Sequence, residues 1–249
     1  MSAAADWRLP AGLAAAAAAA AACLSSRREE DIPPPPPRKV RFGPGGGELV
    51  EFGPGCALQP LRSSAAVFAA GDSAQLRANF ARDGYIYLPQ ALPREAVLAA
   101  KQHVLEDFDR RGGVLDASRP IEEAVLKEGC AAGCVPFLEG QNDVTHDPKM
   151  LAVLEGSGLK AAVSAALGCE NVRTFDFKWL RAVPKGTFSG AHVDWVYMGH
   201  GSQRLVTCWV PIGDIPVEMG TLAVNEASLG LYPIVTLEKQ LPNMIGNLV

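Results

Sequence analysis

The residues best able to perform chemistry are His192 and Asp194, which stand two positions apart. Residues i and i+2 of a β-strand point to the same face, so a strand here would place an imidazole beside a carboxylate. Two histidines and one carboxylate, with open coordination positions, form the iron site of non-haem oxygenases. Only two of those three ligands are evident, because no histidine follows His200. The spacing therefore predicts a metal-binding pair that needs a third ligand.

The histidine and the aspartate also have a simpler interpretation, as a hydrogen-bonded pair that lines a core. Judged from His192-Val193-Asp194 alone, this interpretation is the more common one, so the surrounding residues must distinguish a metal site from a structural pair. A third ligand has three alternative sources, namely His200, His146 or a partner chain. His200 is six residues from Asp194 and would fold back through Gly199, although a solvated loop histidine is the simpler reading. His146 precedes a predicted helix, where a capping role is favoured over ligation.

Composition places the chain among soluble globular proteins with one sizeable core. Its 249 residues are 48% apolar and 20% charged, with a net charge of −4. No basic face stands out, so nucleic acid is not an expected partner. The six cysteines are scattered, and the close pair Cys130 and Cys134 lacks the second pair of a zinc ribbon. Reduced thiols predict an intracellular, cytoplasmic protein, with organelle targeting by the N-terminal region as the alternative.

The N-terminal region is of low complexity. An alanine run over residues 11–24 precedes five prolines, Pro33 to Pro37, and further glycines and prolines follow to about residue 70. The alanine run is too weakly apolar to predict a membrane span. We expect residues 1–70 to be an irregular region rich in Ala, Pro and Gly, and residues 71–249 to form the folded domain.

Periodicity in the folded part changes from helical to extended near residue 172. The first half predicts helices over 72–83, from Pro93 to about 111, over 119–128, after Asp147-Pro148 and over 159–167, with a strand at 85–88 and a loop at 129–145. The second half predicts strands over 174–183, 191–198, 205–212 and 219–225. Helices followed by short strands predict an α+β fold, with a β-sandwich or barrel flanked by helices.

Several segments together resemble the phytanoyl-CoA dioxygenase family, which belongs to the Fe(II)- and 2-oxoglutarate-dependent dioxygenases. The likeness covers about residues 76 to 228, and His-x-Asp followed by a Trp-containing strand and Gly-Thr-Leu-x-Val is its most specific part. The segments are Phe80-Ala-Arg-Asp-Gly-Tyr-Ile-Tyr-Leu-Pro, Leu92-Pro-Arg-Glu, Lys178-Trp-Leu-Arg-Ala, Gly190-Ala-His-Val-Asp, Val196-Tyr-Met-Gly, Trp209-Val-Pro-Ile-Gly-Asp and Met219-Gly-Thr-Leu-Ala-Val. The resemblance implies a double-stranded β-helix, the cupin-like jelly roll, with N-terminal helices around it.

The resemblance also implies a chemistry and a set of site residues. Enzymes of this family use Fe(II), 2-oxoglutarate and O2 to hydroxylate an aliphatic carbon, here of a small or lipid-like substrate. His192 and Asp194 match the family's first histidine and its carboxylate. Trp209 falls where the family often has an aromatic residue near the co-substrate. Lys178 and Arg181 lie one predicted strand upstream on opposite faces, so at most one of them faces the co-substrate.

The chain departs from the family at its C-terminal end. Members carry a second histidine and a co-substrate arginine on late strands, but Leu229 stands where the histidine is expected and residues 231–249 contain neither type. Four or five core strands are predicted, whereas a jelly roll has eight. We therefore expect a form that lacks its last strands and is catalytically incomplete, and whose open sheet edge favours self-association. The alternative is a non-enzymatic β-sheet scaffold, or a binding or regulatory variant without iron.

Overall fold

A computed structural model describes residues 36–42, 47–112, 115–128, 143–180, 182–183, 192, 194, 198, 201, 204–219, 221–224 and 247–248. The predicted loop at 129–145 lies almost entirely outside them. The helices and strands of the described residues are, in chain order, β1 (Arg38–Phe42), β2 (Glu48–Phe52), α1 (Ala65–Ala69), α2 (Ser73–Asp83), α3 (Arg94–Gly112), a 3-10 helix (Ile121–Glu123), α4 (Pro148–Leu154), α5 (Ser157–Leu167), β3 (Ala182–Val183), a second 3-10 helix (Val217–Met219) and β4 (Asn247–Leu248).

Strands β1 and β2 form an antiparallel pair in which Val40 lies opposite Val50. Lys39 lies opposite Glu51, so the strands match in charge as well as in pattern. Val40 is buried, whereas its neighbours on either side are exposed. Among the described residues, this hairpin is the first regular structure, and it lies inside the span 1–70 for which the sequence predicts an irregular region.

Helix α2 confirms the prediction for residues 72–83, including both of its ends. The Asp72 carboxylate accepts a hydrogen bond from the Gln75 amide at 2.9 Å, which caps the N-terminus. Gly84 has φ of 75°, the left-handed conformation that ends helices. Beyond it, the predicted strand at 85–88 is reduced to one parallel bridge between Tyr87 and Ser63.

Helices α3, α4 and α5 also confirm their predictions. Pro93 accepts the first backbone hydrogen bond of α3, from Val97 at 3.1 Å. Asp147 caps α4 through the Lys149 amide at 2.9 Å, and Pro148 occupies the first turn. Helix α4 packs against α3, and α5 packs against α2. The main core lies around α3 and α4 and contains Ala100, Val104, Leu105, Phe108, Leu115, Ala124, Val144, Met150, Val153, Leu180 and Ile212.

The predicted helix over 119–128 is wrong except for its single 3-10 turn. The Asp116 carboxylate accepts hydrogen bonds from both the amide and the hydroxyl of Ser118, which favours a turn over a helix. The Asp116 amide then donates to the Val125 carbonyl at 2.8 Å, so the segment folds back on itself. Local turn chemistry here overrides the helical pattern of apolar residues.

The described residues of the C-terminal half contain fewer strands than the sequence predicts. Among the described residues of 174–183, only Ala182–Val183 forms a strand, which pairs with Asn247–Leu248. The strand predicted over 191–198 is wrong at its described residues, because the Met198 amide donates to the Asp194 carbonyl at 3.0 Å and closes a helical turn. The eight-stranded jelly roll stays a prediction.

The described residues include one helical stretch, Pro148–Leu167, that is long and apolar enough to cross a membrane, with mean hydropathy 1.4. It is interrupted at Gly156, whose extended backbone separates α4 from α5. A Cβ at Gly156 would lie 2.4 Å from the Ala152 carbonyl oxygen, so a side chain does not fit there. The two halves pack against α3 and α2, and 33% of the apolar window is buried.

Candidate metal site

The structure brings His192 and Asp194 together, as the sequence predicts, but through a turn instead of a strand. His192 Nε2 lies 3.3 Å from Asp194 Oδ1. The hydroxyl of Thr207 donates a hydrogen bond of 2.8 Å to Asp194 Oδ2. The Asp194 side chain is only 4% exposed, whereas His192 is 22% exposed. A buried carboxylate therefore presents one oxygen to a hydroxyl and the other to a partly accessible imidazole.

Thr207 belongs to a segment that contacts helix α5 on one side of it and the main core on the other. On one side, the Arg204 guanidinium donates to the carbonyls of Leu167 and Gly168, at the C-terminal end of α5. A cation at this end of a helix binds the last carbonyls and complements the helix dipole. On the other side, Ile212 is 2% exposed within the main core. The position of the Thr207 hydroxyl is therefore determined by packing on the helices.

The pair has the spacing and the unsatisfied acceptor that a metal requires. Two ligand atoms in adjacent positions, each about 2.1 Å from one metal, lie about 3 Å apart. The 3.3 Å between Nε2 and Oδ1 is close to that value. Asp194 Oδ1 is buried and accepts no hydrogen bond from the residues that the structure describes, although a buried carboxylate oxygen normally accepts one. A divalent cation would satisfy this oxygen, so the two residues fit a metal.

The same three side chains do not form a nucleophilic triad. In a hydrolase, the hydroxyl donates to the imidazole, and the carboxylate orients the imidazole from its other side. Here the Thr207 hydroxyl donates to the carboxylate, and the carboxylate lies between Thr207 and His192. The imidazole therefore does not accept the hydroxyl proton, and the order of contacts does not fit acyl transfer by a triad.

A third ligand is not found in the part of the chain that the structure describes. No set of three or more His, Cys, Asp or Glu side chains is placed to hold a metal among those residues. His146 consequently does not join the pair, and its Nε2 lies 3.4 Å from Asp176 Oδ1 instead. The capping role expected of His146 is filled instead by Asp147, the next residue, whose carboxylate accepts a hydrogen bond from the Lys149 amide. His200 lies outside the described residues.

Three residues, Trp209, Arg181 and Lys178, were expected to bind the co-substrate, and the outcome differs for each of them. Trp209 is half-buried and follows Thr207 by two positions. Arg181 lies outside the described residues. Lys178 has a side chain that is only 9% exposed, and its Nζ lies 2.8 Å from Glu155 Oε1. Its charge is already paired, so a role for Lys178 in binding an acidic co-substrate stays a prediction that this contact does not favour.

The Lys178 contact has a large effect on its partner. The ammonium of Lys178, together with hydrogen bonds from Thr174 and Lys160, lowers the pKa of Glu155 from 4.5 to about 2. The Thr174 hydroxyl donates to Glu155 Oε1 at 2.8 Å. Because Glu155 ends α4, these contacts join the segment 174–178 to the junction of α4 and α5.

We expect this pair to make stability depend on pH. The lowered pKa means that ionised Glu155 contributes fully above pH 4.5 and that the contribution disappears as the pH falls toward 2. Glu155 is partly exposed, so the loss should be about 1–2 kcal/mol. Urea unfolding of the parent and of Glu155→Gln at a series of pH values measures it. The exposed Glu128→Gln serves as the control and should retain the parental pH dependence, whereas a parental dependence in Glu155→Gln would contradict the assignment.

Sequence reasoning missed Thr207, although a signal was present. Thr207 and Trp209 are two positions apart, so a strand over 205–212 places them on one face, opposite Cys208. Burial raises the pKa of the Cys208 thiol to about 11, so the thiol stays protonated and is a poor metal ligand. Thr207 is the polar residue of that face, and this polarity is the signal that marks it as a partner for Asp194.

Comparison with known proteins identifies no relative of this chain. No family model, no curated protein and no solved structure matches the chain.

Proposed function

We propose that this chain carries the iron-binding half of an Fe(II)- and 2-oxoglutarate-dependent dioxygenase of the phytanoyl-CoA dioxygenase type. The substrate class is a small or lipid-like molecule with an aliphatic carbon to be hydroxylated. One observation carries the proposal: the buried Asp194 has one oxygen held by Thr207, while its other oxygen faces His192 Nε2 at 3.3 Å and has no hydrogen bond to a described residue. A buried carboxylate is costly unless a positive charge lies beside it, and a metal ion bound between Asp194 and His192 would supply one.

His192 and Asp194 would hold the metal, which when bound supplies the redox chemistry that activates O2. The protein residues contribute position and exclusion of water. Burial of Asp194 keeps its charge from being screened, and His192 is the more exposed of the two side chains. Trp209 supplies an apolar surface two residues from Thr207, where the family resemblance expects the co-substrate.

The third ligand has two sources under this proposal. It comes either from a residue outside the described part of the chain, such as His200, or from a second chain. If neither supplies it, the 249-residue form binds metal weakly and is catalytically incomplete. The proposal concerns the pair itself, and the strength of binding decides which of these situations holds.

Anaerobic titration of the purified chain with Fe(II), with and without 2-oxoglutarate, tests the proposal. We expect saturable binding by the parent chain and its loss in His192→Ala. A charge-transfer band on addition of 2-oxoglutarate would show that the co-substrate reaches the metal. Equal, weak binding by the parent and by His192→Ala would contradict the proposal.

A binding role without iron is the second candidate, and one observation favours it. Phe175, Phe177 and Trp179 are each more than 40% exposed and alternate along one segment outside the helices and strands. Exposed aromatic residues at such spacing are typical of binding surfaces. If the titration shows no metal binding, this surface becomes the functional feature, and the chain is then a scaffold or regulatory variant.

A further inference from the structure

We infer that Thr207 is a positioning residue that makes Asp194 bind its metal through Oδ1 alone. The inference rests on the proposed function and adds a residue and a selectivity to it. It is drawn from the contacts of one buried carboxylate with two neighbours, Thr207 and His192.

The two oxygens of Asp194 are chemically identical until their neighbours distinguish them. The Thr207 hydroxyl donates to Oδ2 at 2.8 Å, a normal length for a hydroxyl bonded to a carboxylate. Among the described residues Oδ1 accepts no such hydrogen bond, and it faces Nε2 of His192 at 3.3 Å. Because the carboxylate is buried, loss of the Thr207 bond would cost free energy. The hydroxyl therefore holds the carboxylate in an orientation that directs its other oxygen toward the imidazole.

Thr207 is able to impose this orientation because its own backbone is held. Three residues before Thr207, Arg204 binds the carbonyls of Leu167 and Gly168. Five residues after Thr207, Ile212 lies in the main core. A ligand's hydrogen-bond partner that is itself fixed orients the ligand before the metal arrives. Such preorganisation lowers the cost of binding.

The number of carboxylate oxygens available to the metal affects which cation is bound. Ca²⁺ takes six to eight oxygen ligands and often binds both oxygens of one carboxylate. Transition metals accept an imidazole nitrogen together with a single carboxylate oxygen. By engaging Oδ2, Thr207 disfavours two-oxygen binding. The site is therefore expected to select transition-metal cations such as Fe²⁺ and Co²⁺ against Ca²⁺.

Cobalt titration of the full-length chain tests the role of Thr207 without depending on enzyme activity. Co²⁺ is the probe because its visible absorption reports the ligands, and competition with Ca²⁺ reports selectivity. The test variant is Thr207→Val, which replaces the hydroxyl by a methyl group, and Thr207→Ser is its matched control. Thr207→Ala is a second variant if valine prevents folding, and the thermal midpoint of each metal-free variant checks its fold.

We expect Thr207→Val and Thr207→Ala to raise the Kd for Co²⁺ by about tenfold, since the loss of a ligand's hydrogen-bond partner has effects of this size. Both should shift the absorption band and weaken discrimination against Ca²⁺, and Thr207→Ser should keep the parental values. Parental affinity and spectrum in Thr207→Val, with binding still lost in His192→Ala, would overturn the inference and leave the proposed function intact. A parent chain that binds Co²⁺ no better than His192→Ala would overturn both.

Discussion

Replacement of Asp194 by asparagine is expected to raise the Kd for Fe²⁺ or Co²⁺ by about 100-fold or more, while the metal-free chain becomes no less stable. The amide removes the negative charge that binds the cation, and a lost ligand costs more than the tenfold to 100-fold of a lost supporting residue. Without metal, the carboxylate is a buried charge, and one of its oxygens accepts no hydrogen bond from any residue in the described ranges. A neutral side chain of the same shape removes that cost.

Asp176→Asn is the matched control, because its carboxylate also lies near a histidine but is 80% exposed. Metal titration and thermal unfolding of both variants separate the two interpretations of the His192–Asp194 pair. A structural ion pair would lose stability when Asp194 becomes neutral. A marked fall in the thermal midpoint of metal-free Asp194→Asn, with unchanged metal affinity, would show that the pair is structural and not a metal site.

Leu105→Ala is expected to lower the free energy of unfolding by about 3 kcal/mol, as truncation of a fully buried leucine does. Leu105 lies on α3, is 0% exposed and belongs to the core that α3 shares with α4. Its loss leaves a cavity between the two helices, because the close-packed neighbours relax only in part.

Leu98→Ala is the control on the same helix. Leu98 is 45% exposed, so its truncation should change the free energy of unfolding by less than about 0.5 kcal/mol. Urea denaturation of the three chains measures the difference. Similar losses in the two variants would mean that α3 does not pack against α4 as described.

The helices were predictable because their signals are local. Asp72 and Gly84 bound α2, and Asp147-Pro148 opens α4, so the cap and the breaker lie within a few residues of the element they define. The helix predicted over 119–128 was wrong because Asp116 and Ser118 form a turn, and the pattern of apolar residues does not reveal that turn.

The site was predictable only in part, because half of its contacts are between distant residues. His192 and Asp194 are visible as a pair from their spacing. The bond from Thr207 to Asp194 joins residues thirteen positions apart, and it depends on how Arg204 and Ile212 attach the segment to the helices. Likewise, Lys178 appears in the sequence as a free cation, and only the packing of α4 shows that Glu155 pairs with it.

The turn that brings His192 beside Asp194 has a consequence for how a cation would act on folding. The three side chains His192, Asp194 and Thr207 span sixteen residues, and a bond between the Met198 amide and the Asp194 carbonyl shortens that loop. A loop of this length costs little entropy to close, but Thr207 reaches Asp194 only where Arg204 and Ile212 attach its segment to the helices. The arrangement of all three side chains thus belongs to the folded chain. A cation that binds this arrangement would stabilise the folded chain, since metal affinity adds directly to folding free energy.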